Sequence, residues 1–533
     1  MQTTRVTAAV LGALAAATFI VAPLTGWPQL VRVAPVLVLA LLVLLVVARP
    51  WTWSPEDWAV IGDWNPSRRT VRVAAVIVGL VVFWFVLTRF RSADINAVDF
   101  TVYYERPNFQ TLQGHPLYVE SADDPQRAYR SLFAIHSHWI MLPLALFYAV
   151  WASPLWLLAL SVVAVVIGAV YTLRIVQWIG AGGPIASATA LAFVFNANTA
   201  RTLNYGFHAE VLYAWFVPWM IHAGVQRRWR SFLVAAFLVV AVKEDAFLLL
   251  IAGVVALLLH HGRMLSRGEC AVLLAPAVVA IENLSFYFRY AMPRFSATGK
   301  PFYSNYWANY GPTMMSAMFG MLSHPFSVLS STVTSGFLTN VLMPFAYLPF
   351  IGWRWSIGIL PIVLLYGAAA NEQMRSFGIY YAMPLVPFLA LGAADGARRL
   401  ADRFGSHRGR ARVIAAAVIL AGALLAGISD AGYSLRPWKP QVGAVPRLLR
   451  QLKGEPFVLV QSALYPHAGY DERVQLLTNE SIRDPRYAGA ALLLAPGLSA
   501  YPLSTAEFEA LSQREVMATT DEGLLVVRGS APP

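Results

Sequence analysis

The sequence predicts an all-α polytopic membrane protein with a small C-terminal extracytoplasmic α/β domain. Three observations lead there. Of 533 residues, 58% are hydrophobic and only 13% charged, far fewer charges than a soluble domain carries. Apolar runs recur from residue 6 to residue 430, many of them close to the roughly 20 residues a span needs. From Gly432 onward the character changes: ten basic residues balance ten acidic ones, and short strand and helix signals alternate. The net charge of +12 therefore lies between the apolar runs, where basic residues fix topology. That placement argues against nucleic acid as a partner. The single cysteine, Cys270, excludes an intramolecular disulfide and a cysteine-based zinc site.

The elements follow in order. Arg5 and the run 6–22 resemble a signal peptide, but a second apolar run follows at once, so 6–25 reads as an uncleaved first span and 31–48 as its return. Arg68, Arg69 and Arg72 mark a cytoplasmic loop before the outward span 73–90, which makes the polar stretch 91–130 an outer loop. The run 138–151 is short, bracketed by His138 and Pro154, and reads as interfacial or re-entrant. Spans are then expected at 153–173, 184–203, 209–225, 231–242, 246–261, 269–288, 331–350, 354–369, 378–395 and 413–430. That gives about thirteen spans with every strong arginine cluster on one side, and a second outer loop at 289–316. The expected domains are 1–72 (two spans and a loop), 73–431 (the transmembrane core) and 432–533 (the soluble tail). In the tail, strands are expected at 457–461, 474–478, 490–494 and 524–528, with helices at 445–453 and 504–513.

Ionisable side chains at a bilayer boundary are costly and mark candidate sites. On this topology they gather on the outer face. Asp99, between Val98 and Phe100, can serve as a general base or metal ligand. His136, His138, His208 and Glu210 carry the donor types that suit a divalent cation, although their spacing matches no metal motif. Lys243, Glu244 and Asp245 interrupt about 30 apolar residues and need water, partners or a ligand. Arg294 sits in the second outer loop among aromatics that suit a sugar ring.

The order of Val98-Asp99-Phe100, His136, Gly206-Phe207-His208, Val242-Lys243-Glu244-Asp245, Tyr380-Tyr381 and Val460-Gln461-Ser462-Ala463 resembles an uncharacterised family of bacterial membrane proteins, over roughly residues 73–530. The chain departs from the family pattern at His136-Ser137-His138-Trp139, at His208-Ala209 and at Tyr380. That family is similar in architecture to the GT-C glycosyltransferases, which carry a catalytic acid in the first large outer loop and use polyprenyl-phosphate-linked sugars. The resemblance implies a membrane glycosyltransferase at the outer face of a bacterial membrane. Asp99 would act on the acceptor hydroxyl, Lys243 and Arg294 would meet the departing phosphate, and His136, His208, Glu210, Glu244 and Asp245 would position sugar or a cation. A transporter or flippase, or a non-catalytic envelope assembly protein, is the alternative.

Overall fold

The computed structural model describes residues 55–119, 130–261, 265–296, 302–376, 379–429 and 433–529. The expected spans 6–25 and 31–48 lie outside these residues. The rest is a helical body with a small C-terminal sheet domain seated on it.

Among the described residues, four helices are long and apolar enough to cross a bilayer: Arg68–Arg91, Leu155–Trp178, Arg267–Phe295 and Gly405–Ala426. Shorter apolar helices, including Trp229–Val242 and Ala246–His261, fill the body. Several expected spans are broken. The 184–203 run stops at Asn196, whose side chain caps a second helix, Ala197–Asn204, by accepting from the Asn198 and Thr199 amides. The 331–350 run bends by 61° between Pro325–Thr334 and Phe337–Phe345, with Gly336 left-handed at the break. The expected 138–151 segment is two short helices, Met141–Leu144 and Leu146–Val150.

Where described, the two stretches read as outer loops are largely helical. After the Arg68–Arg91 helix, Val98–Glu105 forms a wide π-helical turn that continues as Arg106–Leu112. Phe100, Val102 and Tyr104 are buried there, so apolar packing overrides the polar composition. The Arg267–Phe286 helix runs on through Tyr287–Ala291 and Met292–Phe295.

Close helix approach relies on small residues. A side chain at Gly168 would stand 1.8 Å from the Ala214 carbonyl oxygen, which is how Leu155–Trp178 packs against Tyr213–Val225. At one end of the body Arg412 pairs with Asp63 and donates to the carbonyls of Gly62 (3.2 Å) and Gly180 (3.0 Å). Those three chain ends are ones the arginine pattern assigns to a common side.

The tail forms a five-stranded sheet in the order β2-β1-β3-β5-β4: β1 Val458–Val460, β2 Val474–Leu476, β3 Ala491–Leu494, β4 Val516–Thr519 and β5 Leu525–Arg528. The first three strands are parallel, and β5 runs antiparallel to β3 and β4. Four strands coincide with those expected. β4 does not, because its alternation is weak and it is an edge strand with both ends exposed. The helix Thr505–Ser512 starts at Ser504 with a full capping box to Glu507. The first helix begins earlier than expected, at Pro440, and runs to Gln451. Val98, Val102 and Val119 belong to the same apolar cluster as Val445, Val460 and Leu476. The tail is thereby fixed against the segment that carries Asp99.

Candidate functional site

A cavity of 590 Å³ opens between the helical body and the tail. Asp99, Tyr103 and Tyr104 wall it from the π-helical turn, and His136, Tyr205, His208, Tyr306, Tyr380 and Tyr381 from four further segments. Ser462, Ala463, Ser499 and Tyr501 close it from the tail. Among the described residues, Asp99 is its one carboxylate, tyrosine is its commonest residue, and no lysine or arginine lines it.

Asp99 accepts a hydrogen bond from the Tyr205 phenol. Burial raises the Asp99 pKa above the ordinary carboxylate range, and the Tyr205 bond partly offsets that rise. Tyr205 reaches it because the chain turns sharply at Gly206, which has φ +98°. A side chain at Gly206 would come within 3.2 Å of the Phe100 Cβ, so glycine is required twice over.

Behind the wall lies a continuous polar network. His208 Nδ1 donates to Glu210, and Glu210 receives Lys243 Nζ at 2.7 Å. Lys243 also lies 3.9 Å from Asp245, which accepts from the Tyr213 phenol at 3.3 Å. Lys243-Glu244-Asp245 is the break between the helices Trp229–Val242 and Ala246–His261. Lys243 is extended there, with φ −163° and ψ 158°. Glu244 accepts from His136 Nδ1 at 2.7 Å and from the Ser137 amide at 2.9 Å. The charges that interrupt the apolar run thus meet one another, His136 directly, and His208 through Glu210.

Two carboxylate–imidazole pairs result, Glu244–His136 and Glu210–His208, and Tyr104 connects the second to His138. The Tyr104 hydroxyl lies 2.8 Å from His208 Nε2 and 3.3 Å from His138 Nε2. His138 Nδ1 donates to the Val242 carbonyl at 2.5 Å, so on each ring the Nδ1 atom holds the proton and Nε2 accepts. Burial keeps both rings neutral, lowering His138 to about 3 and His208 to about 4. One phenol proton therefore serves two imidazole acceptors. A proton added to His208 reverses its bond with Tyr104 and turns the hydroxyl towards His138. Tyr380 stacks on His208 with ring centroids 3.3 Å apart and fixes the ring plane.

The sequence-derived candidates divide into three groups. Asp99, His136 and His208 line the cavity. Glu210, Lys243, Glu244 and Asp245 form the layer behind it. Arg294 is exposed and lines no part of it. For a divalent cation, no group of three or more His, Cys, Asp or Glu is placed to hold one among the described residues, since His208, Glu210, His136 and Glu244 bond to each other. Sequence reasoning reached Tyr306 as one of the second outer loop's aromatics and missed Tyr104, Tyr205 and Tyr501. The signal for Tyr205 was its place directly before Gly206-Phe207-His208; the others are single tyrosines among 22.

The fold is similar to that of a solved GT-C membrane protein. ArnT from Cupriavidus metallidurans bound to undecaprenyl phosphate superposes with a TM-score of 0.50 at 13% identity, over 88% of this chain and 100% of that one. The same protein in its apo state gives 0.48 at 14%, over 86% and 99%. The mycobacterial arabinofuranosyltransferase AftD gives 0.43 at 13%, over 88% and 40%. Among curated proteins, none matches the sequence. Residues 91–476 match the family described as predicted membrane protein DUF2079, and the chain belongs to that family of membrane proteins.

Proposed function

We propose that this protein is a membrane glycosyltransferase that moves a sugar from a polyprenyl-phosphate donor to an acceptor hydroxyl, at the outer face of the membrane. The observation that carries the reading is a single carboxylate, Asp99, with a raised pKa, at the wall of a tyrosine-rich cavity. Fold likeness alone does not assign an activity, but the undecaprenyl phosphate bound by ArnT names a donor class that suits this architecture.

In this reading Asp99 takes the proton of the acceptor hydroxyl as its oxygen attacks the anomeric carbon. The bond from that carbon to the phosphate oxygen breaks, and polyprenyl phosphate leaves with the electron pair. Tyrosine rings give the sugar apolar faces to rest on, and their phenols donate to its oxygens. Lys243 acts through Glu210 by holding the His208 imidazole in place. Arg294 remains the candidate for a phosphate approaching from outside the wall. Glu244 and Asp245 position His136 and Lys243. The tail domain, taken as extracytoplasmic, closes the cavity against water.

The test uses purified protein in proteoliposomes with a panel of undecaprenyl-phosphate-linked pentoses and hexoses, assayed for release of undecaprenyl phosphate. Release that depends on the protein and is lost in Asp99→Asn supports the reading. Protein-dependent movement of intact donor across the bilayer, without release, would replace it with a flippase.

A further inference from the structure

The helical stretch that walls the first cavity also walls a second, of 640 Å³, between Val102, Arg106, Phe109 and Gln110 on one side and the tail on the other. The two cavities have no residue in common. The second holds a different chemistry. Phe109 and Tyr470 stack with centroids 4.3 Å apart and 15° between their planes. Phe457 meets Tyr487 edge-on at 5.0 Å. Two of its three arginines are paired with carboxylates, and the third, Arg106, donates to the Gly469 carbonyl at 3.1 Å and lies over the Tyr465 ring at 4.2 Å. Arg473 pairs with Asp471 at 2.5 Å and gives Nη1 to the carbonyls of Lys453 and Glu455, and Arg486 pairs with Asp484 at 2.8 Å. Each arginine is thus held by contacts of its own, which weighs against an anionic ligand.

Gln475 is the telling residue. It lines the cavity, is 7% exposed, and donates Nε2 to the Glu472 carbonyl at 2.7 Å. Its Oε1 is buried with no hydrogen-bond donor among the described residues. A buried acceptor left so is destabilising, and a ligand hydroxyl removes that cost. Paired aromatic faces beside amide groups and few net charges suit one ligand chemistry: a sugar presents C–H faces to the rings and hydroxyls to the amides.

We propose that this second cavity is a subsite for a neutral saccharide. If the transfer reading holds, on which only this last step rests, the saccharide is the distal part of the acceptor glycan, running past Val98–Glu105 to place its end at Asp99. Tail and body would then form one acceptor groove.

The experiment is binding of the full-length protein in nanodiscs to an array of neutral and uronic-acid oligosaccharides. Neutral oligosaccharides are expected to bind, with affinity falling at least tenfold in Phe109→Ala and in Gln475→Leu. Gln475→Leu changes no charge and little volume, so an unchanged melting temperature separates lost binding from lost fold. Absence of glycan binding, binding confined to uronic-acid chains, or binding indifferent to both substitutions would overturn the proposal. Saccharide binding that survives when every donor fails in the release assay would leave this subsite standing and remove the transfer reading alone.

Discussion

The Tyr205 phenol donates to the Asp99 carboxylate across 106 positions of sequence, and this bond sets how readily Asp99 gives up its proton. Burial raises the Asp99 pKa; Tyr205, by bonding to the ionised form, restrains the rise. A base is active when ionised, so transfer should climb with pH through that raised value and fail below it. Tyr205→Phe removes the restraint, and the acid limb of the kcat/KM profile should move to higher pH. A limb that stays in place or moves down would show that Asp99 is not the titrating group.

Lys243 sits behind the cavity wall, 2.7 Å from Glu210 and 6% exposed. Lys243→Ala strands the buried Glu210 carboxylate, which is expected to cost about 3–5 kcal/mol. Thermal unfolding in detergent should show that loss. If the variant unfolds like the wild type and only donor affinity drops, Lys243 contacts the phosphate directly.

Gly206 holds a left-handed conformation against the Phe100 side chain. Gly206→Ala adds backbone strain of about 1–3 kcal/mol and pushes on the helix that carries Asp99. The expected result is a lower melting temperature together with a reduced kcat. Normal activity and stability would mean that the turn adapts.

Asp94 joins the body to the tail, meeting Arg89 at 2.8 Å and Arg436 at 2.6 Å. Since Asp94 is 43% exposed on its side chain, Asp94→Ala should cost only about 1 kcal/mol overall. Its effect should appear locally, as faster proteolysis between residues 433 and 440. Cleavage at the wild-type rate would place the hold on the tail elsewhere, in the Val98–Val445 cluster.

Charge and hydropathy made the helical body legible, because arginine placement and apolar length act locally along the chain. The same holds for four tail strands and for the capped helix at Ser504. What composition could not reveal were breaks and bends. Asn196 stops an apolar run by capping the next helix, and Gly336 bends another; neither changes hydropathy. The stretch around Asp99 looked like a loop because its polar residues face a cavity and the tail, while Phe100 and Tyr104 face the core.

In the site, charged residues were legible because a charge in an apolar run stands out. Asp99, His136 and His208 do share a cavity. The tyrosines did not stand out, since a phenol is ordinary at a membrane boundary. Their role follows only from convergence of distant segments. Lys243 was found, but its partner Glu210 lies 33 positions earlier, a pairing that spacing cannot supply.

The most direct measurement is steady-state kinetics of Asp99→Asn on whichever lipid-linked sugar the wild type consumes. Asparagine keeps the size of the side chain and removes its basicity. The account predicts that kcat falls by about 10²–10⁴-fold, while the KM for donor changes little. Turnover by Asp99→Asn at the wild-type rate would contradict it.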